Sequence, residues 1–384
     1  MIVTKKTCIT TSFYLAYLTF LTFSMFGHIP TVGGYLKELT NVGLAIFVII
    51  VCLRLRDYSA QEGVVFAILL SYSLFVAFRT GDYGVLKLGV MGFACKGLDF
   101  KRIVKRDLYT RILFIFIMLY LWLSGAAPDV TSVYNGTVRH SMGFQNPNHV
   151  GLFAVIMIME ILYLSEMHLS IVRYVAVFAI LMAEDYIAGS RTAEFIALIA
   201  IGLAMVYSFY PRFYEKKIVR SIMCWGGMIC ATITATAFFL FKSASGVAII
   251  MDKIFSGRIT NIVFYYSRLG VSILGKNPLS VSRTIDSLYG YSFIVLGIFA
   301  FLIIMMTYYK IEQILCQSNM PLAIIMFCLF VYGLSERLWM YIDYNILMLA
   351  FAELIYSGFT TNGNNIYLSC EGESNRQNVK NGLS

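Results

Sequence analysis

Apolar segments of membrane-crossing length recur along nearly the whole chain, and no other feature narrows its possible folds as far. A helix must run for about 20 residues to cross roughly 30 Å of hydrocarbon, because each residue rises about 1.5 Å. Candidate stretches lie near 8–27, 39–53, 61–78, 85–95, 108–126, 149–165, 171–188, 192–209, 220–241, 288–308, 320–334 and 340–358. The weakest, 85–95, is short and carries Lys87. Counting it as a span keeps the basic cluster Lys96, Lys101, Arg102, Lys105 and Arg106 on the inner side, as the positive-inside bias requires. The expected fold class is all-α, a polytopic transmembrane bundle of about 12 helices.

Composition agrees, with 59% apolar and only 13% charged residues, where soluble domains carry roughly a quarter charged. Placing the N-terminus inside puts 18 of the 30 Lys and Arg residues on the inner side, so both termini are expected to be cytoplasmic. The net charge of +9 then lies mostly in inner loops, where it meets anionic lipid. No basic, aromatic-rich surface outside the bilayer suggests nucleic-acid binding. None of the eight cysteines falls in an outer loop or at zinc-ligand spacing, so outer disulfides are not expected. Lys5 and Lys6 precede the first apolar run without a small-residue cleavage site, which reads as a retained helix.

Residues 1–359 read as a single transmembrane domain, and the Asn-, Gly-, Ser- and Glu-rich segment 360–384 as a disordered cytoplasmic tail, too poor in apolar surface to offset its ordering. Two outward-facing loops, about 127–148 and 242–287, are too long for simple turns. The second contains Ile259, Ile262, Val263, Tyr266, Leu269 and Ile273 at helical spacing, flanked by a polar stripe of Arg258, Asn261, Tyr265 and Arg268. This amphipathic helix lies at the membrane surface or packs on the bundle with its arginines turned to a cleft.

The densest polar cluster is Arg139-His140-Ser141-Met142-Gly143-Phe144-Gln145-Asn146-Pro147-Asn148-His149-Val150-Gly151. Pro147 suits the first turn of a helix, where its missing N–H does no harm, and Asn146 suits the N-cap. The free N–H groups of that helix end, with Arg139, favour an anion such as phosphate. The same residues also serve simply to cap a helix and turn the chain.

Gly143-Phe144-Gln145-Asn146-Pro147-Asn148, with Gly151 inside the following helix, resembles the signature of the O-antigen polymerase and ligase superfamily. Ser190-Arg191-Thr192 resembles its Ser-Arg-Thr/Gly element, Phe255-Ser256-Gly257-Arg258 its Ser-Gly-Arg element, and Asp286-Ser287-Leu288-Tyr289 leading to Gly297 its later segment. These elements occur in order over residues 139–300. Glu184-Asp185 departs from the pattern, which has a more apolar helix there. Within the superfamily the look is closest to Wzy-type polymerases of capsule or O-antigen.

The resemblance implies a GT-C-like glycosyltransferase of the bacterial plasma membrane that joins undecaprenyl-pyrophosphate-linked repeat units into a surface polysaccharide on the outer face. It implies no cofactor and no metal; no Asp-x-Asp pair sits in the first outer loop. Its implied partners are lipid-linked glycans and membrane lipid, with a flippase and a chain-length regulator of the same pathway. A sugar hydroxyl attacks the anomeric carbon of the growing chain and displaces polyprenyl pyrophosphate with inversion. Arginine suits the leaving group, because it stays charged and forms forked bonds to phosphate oxygens.

Arg139, Arg191 and Arg258 are the first choices for that role, and Arg268 and Arg283 the second. Asn146 and Asn148 are further substrate contacts. For the hydroxyl proton, His140 has a suitable unperturbed pKa, with Asp286 and Glu336 as alternatives. Competing functions are an O-antigen ligase, a flippase or transporter of lipid-linked oligosaccharide, and a structural scaffold. Transporters usually show paired halves and polar groups near mid-membrane, whereas the ionisable residues here sit mainly near span ends and in the two loops.

Overall fold

The structure is a computed structural model that describes residues 5–357 except 135, 169, 244, 245, 255, 256, 279, 280, 282, 283, 339 and 340. Arg283 and the expected tail 360–384 lie outside the described residues. The chain runs through α1 (Lys5–Phe26), α2 (Gly33–Leu53), α3 (Ala60–Thr80), α4 (Gly84–Ala94) and α5 (Phe100–Leu123). A small hairpin, β1 (Ser132–Tyr134) and β2 (Thr137–Arg139), precedes α6 (Pro147–Leu164), α7 (Ile171–Ile187), α8 (Arg191–Phe209), the short α9 (Arg212–Glu215) and α10 (Lys217–Lys242). Then come α11 (Gly246–Ile254), α12 (Arg258–Leu269), α13 (Leu288–Tyr291), α14 (Ile298–Ser318), α15 (Met320–Tyr332) and α16 (Ala352–Ser357). Among the described residues the fold is all-α apart from that hairpin.

Among the described residues, seven helices are long and apolar enough to cross a membrane: α1, α2, α3, α6, α8, α10 and α14. The other expected spans differ for local reasons. Helix α5 starts at Phe100, well before the apolar stretch at 108, and takes Lys101, Arg102, Lys105, Arg106 and Asp107 into its first half. Its start is set by Asp99, whose side chain accepts from Arg102 N at 3.0 Å, a local signal that charge does not oppose. Helices α4 and α15 are shorter apolar helices, and α7 has 17 residues.

The stretch 288–308, expected as one span, is broken. A π-helical turn at Ser292–Leu296 ends at Gly297, whose φ is 95°. The segment around Ser272–Lys276 pairs there, with Lys276 N donating to Val295 O and Ile298 N to Ser272 O. A Cβ on Gly297 would come within 2.4 Å of Gly275 N, so the close crossing needs glycine on both chains.

The centre of the bundle is α6, with 72% of its apolar window buried; it packs on α5, α7, α8 and α15. A helix apolar on nearly every side, with Glu160 the buried exception, belongs in such a place. Elsewhere small residues let helices approach: a Cβ on Gly227 would meet the Tyr308 ring at 2.6 Å, and one on Gly226 the Phe327 ring at 2.8 Å. This joins α10 to α14 and α15 in the manner of small-residue contacts between membrane helices.

Candidate functional site

The site is built where the N-terminal ends of α6, α8 and α12 meet the end of α7 and the segment after α15. Its first part is the turn before α6. Asp129 Oδ1 accepts from Ser141 N at 2.9 Å and Met142 N at 3.3 Å, while Ser141 Oγ accepts from Val130 N at 2.8 Å. Burial raises the Asp129 carboxyl, but bonds from His140, Trp122 and Ser141 outweigh it and hold the group below the usual carboxylate range. Met142 and Gly143 both have positive φ, and a Cβ on Gly143 would lie 2.8 Å from Met118 Sδ. Glycine is therefore required here both by backbone and by space.

Pro147 opens α6 and Asn146 holds the N-cap position in extended conformation. Its side chain, expected to cap the helix, makes no capping bond, and its buried Oδ1 has no hydrogen-bond partner among the described residues. One turn on, a Cβ on Gly151 would meet Ser190 Cβ at 2.6 Å, Ala193 Cβ at 2.8 Å and Glu184 Oε1 at 2.9 Å. The start of α8 is thus pressed against α6. Glu184 Oε1 accepts from Ser190 N at 2.9 Å, so the acidic residue that departs from the resembled pattern shapes the loop presenting Arg191.

Arg139, at the end of β2, donates from Nη2 to Asn148 Oδ1 at 2.8 Å and from Nε to the Ala188 carbonyl. It ties α6 to the end of α7. Gly257, at φ 78°, is the N-cap of α12 and places Arg258 at the first helical position. Arg258 is buried, donating from Nε to Ser335 O at 2.6 Å and from Nη2 to Glu336 Oε1 at 2.5 Å.

Arg139, Arg191, Lys253 and Arg258 line one cavity of about 820 Å³, together with Asn148, Ser190 and Asp286. Burial lowers the Arg139 proton affinity; Glu184 and Glu194 oppose that shift, while Arg191 and Arg258 add to it. Those neighbouring cations repel one another in a partly desolvated space, and an anion placed among them relieves the repulsion. Asn148 and Asp286 also line a second cavity of about 410 Å³ with Asn146, His149, Glu336, Arg337, Tyr341 and Tyr344. Burial pushes the Glu336 carboxyl up to about 7 and Asp286 adds to this, although Arg258 acts in the opposite direction. A carboxyl poised near neutrality is suited to proton transfer.

The expected residues divide accordingly. Arg139, Arg191, Arg258, Asn146, Asn148, Asp286 and Glu336 line one or both cavities. His140 does not: its Nδ1 lies 2.6 Å from Asp129 Oδ2 and its ring packs near Trp122. Arg268 is exposed over the Phe264 ring. At 3.6 residues per turn it lies about 80° around the helix from Arg258, on the side away from Ile259 and Ile262, so it falls outside the buried face that carries Arg258. The buried side of α12 is Arg258, Ile259, Ile262 and Tyr265, which mixes the polar and apolar stripes read from the sequence.

Sequence reasoning missed Lys253, Arg337 and Asp129. The Arg337 guanidinium stacks between the Tyr291 and Tyr341 rings, at 4.1 and 5.2 Å; its adjacency to Glu336 was the only available signal. Among the described residues, no three His, Cys, Asp or Glu side chains are grouped as metal ligands. The chain matches no protein-family model, no curated protein and no solved structure.

Proposed function

We propose that this chain is a membrane glycosyltransferase that polymerises polyprenyl-pyrophosphate-linked oligosaccharide repeat units on the outer face of a bacterial membrane. The observation that carries this reading is the convergence of Arg139, Arg191 and Arg258 from three separate segments on one cavity beside Glu336. The superfamily resemblance of the residues that line it supports the same assignment.

On this reading the cationic cavity takes the donor pyrophosphate. An acceptor sugar hydroxyl attacks the donor's anomeric carbon, and a new glycosidic bond forms as the bond to pyrophosphate oxygen breaks. The bonding pair leaves on the phosphate, where the arginines stabilise the growing charge. The hydroxyl proton passes to the Glu336 carboxylate, which Arg258 orients through Oε1. Each charge-assisted bond contributes ~1.5–3 kcal/mol, and aiming such donors at developing charge is worth ~100-fold or more in rate. An O-antigen ligase would use the same donor chemistry with a lipid-core acceptor.

A second reading, a transporter of lipid-linked oligosaccharide, is favoured by one observation: Asp107, Arg111 and Glu160 are fully buried within the helical bundle, as ionisable groups of transport pathways are. Purified protein given a synthetic polyprenyl-pyrophosphate repeat unit separates the two. A ladder of longer glycans, lost in Arg258→Ala, supports the polymerase. Absence of a ladder together with passage of labelled lipid across proteoliposomes replaces it with the transporter.

A further inference from the structure

Helices α5 and α6 bring Asp107, Arg111 and Glu160 together with no exposed surface. Arg111 Nε donates to Asp107 Oδ2 at 2.8 Å and lies 3.4 Å from Glu160 Oε1. Its Nη2 donates to the Tyr344 carbonyl at 2.7 Å and to the Tyr17 hydroxyl at 3.3 Å, and its guanidinium covers the Phe153 ring at 4.7 Å. No other charged side chain of these elements reaches Arg111 among the described residues. One cation therefore faces two carboxyl groups in an apolar bundle, where an unbalanced charge is costly.

The hydrogen-bond inventory is also incomplete. With both carboxyls ionised, Asp107 Oδ1, Arg111 Nη1 and both Glu160 oxygens lack a hydrogen-bond partner among the described residues, yet Glu160 lies within hydrogen-bond reach of Asp107, so a proton on one of the two acids pairs them. Oδ1 and Nδ2 of Asn345 also lack a partner among the described residues; this residue is fully buried and follows the Tyr344 carbonyl that Arg111 holds. Buried polar atoms are almost always paired, with ordered water where protein supplies no partner. A shared proton accounts for the two acids, and ordered water is the expected partner for Arg111 Nη1 and for the amide of Asn345, the residue next to the bonded Tyr344 carbonyl.

We propose that Asp107, Arg111, Glu160 and Asn345 form a buried site for one proton and ordered water, with the proton on Glu160, and that the site braces the Tyr341–Asn345 segment. The proton balances the second carboxyl. It resides on Glu160 because Asp107 makes the shorter, hydrogen-bonded contact to Arg111. Bracing follows from the Arg111 bond to the Tyr344 carbonyl, since the rings of Tyr341 and Tyr344 line the second cavity and the Tyr344 ring lies 5.6 Å from His149. Arg111 is thus a positioning residue for that cavity, whatever ligand the cavity takes.

Infrared difference spectroscopy of the whole protein in detergent reads the proton. Beside the Glu336 contribution, identified by its loss in Glu336→Gln, a protonated-carboxyl band present in wild type, shifted in D₂O and lost in Glu160→Gln is expected. Persistence of the band in Glu160→Gln overturns the assignment. An O–D stretch of weakly bonded internal water should disappear in Asn345→Leu, and its absence from wild type overturns the water.

Hydrogen exchange reads the bracing. Arg111→Lys retains the charge but has one nitrogen where Arg111 uses two, so loss of the Tyr344 bond should speed exchange across 341–345 about tenfold. Exchange in α14 should stay unchanged. Glu160→Gln, which preserves a neutral donor and acceptor, should leave 341–345 at the wild-type rate. If Arg111→Lys leaves 341–345 unchanged, the bracing role falls. None of these readings depends on turnover, so they stand or fall apart from the proposed glycosyl transfer.

Discussion

Arg258 and Glu336, 78 residues apart in sequence, share a 2.5 Å hydrogen bond inside the bundle. This pairing joins the first turn of α12 to the segment after α15 and sets a cation beside a carboxyl at the border of the two cavities. Breaking it by Arg258→Ala should lower turnover ~100-fold or more, as loss of a donor aimed at developing charge does. It should also cost about 3 kcal/mol of stability by stranding a buried carboxyl. Arg258→Met with Glu336→Leu should recover most of that stability and none of the activity, measured by thermal unfolding in detergent beside the glycan-ladder assay. Recovery of turnover in the double variant would remove both residues from the chemistry.

Glu336 supplies a pH dependence. Its carboxyl is shifted from 4.5 to about 7, with burial the largest cause. On the proposed reading the ionised Glu336 accepts the hydroxyl proton, so turnover should rise as pH increases through about 7 and level off above it. Stability moves the other way. The folded state holds this proton more tightly than the unfolded chain, so the contribution is greatest below 4.5 and is lost as pH rises to about 7. Glu336→Gln should remove the rise in turnover and reduce the stability trend; a turnover profile retained unchanged in that variant would assign the titration elsewhere.

Gly151 is the point where α6 and α8 touch. A side chain there meets Ser190 Cβ at 2.6 Å, Ala193 Cβ at 2.8 Å and Glu184 Oε1 at 2.9 Å, and the two closest contacts are Cβ atoms fixed to the backbone of α8 and its N-cap. Gly151→Val should cost ~1–3 kcal/mol by overpacking and displace Arg191 from the cavity. The expected kinetic signature is weaker binding of a pyrophosphate-bearing lipid, measured by competition.

His140 and Arg268 are the controls. His140 is engaged with Asp129 and Arg268 stands over Phe264, both away from the cavity-lining residues. His140→Gln and Arg268→Ala should each leave turnover within about threefold of wild type, consistent with surface changes of less than ~0.5 kcal/mol. A hundredfold loss in His140→Gln would restore it as the proton acceptor in place of Glu336.

By itself the sequence determined the class of fold and the local marks of the site. Hydropathy reports which segments cannot remain in water, and Gly143 and Pro147 prescribe local backbone geometry, so the helical class and the turn before α6 were legible from neighbouring residues alone, while several span boundaries were not. Tertiary structure decided which of those marks meet in space. Whether Arg258 or Arg268 faces the cleft depends on how α12 is rotated against the bundle. Whether Glu336 or His140 is poised for proton transfer depends on burial and on charges from distant segments. The break at Gly297 arises from a chain inserted some twenty residues upstream, and the Asp107–Arg111–Glu160 cluster from two helices meeting side by side. Electrostatic and packing energies depend on distance in space, which hydropathy and spacing along one chain do not encode.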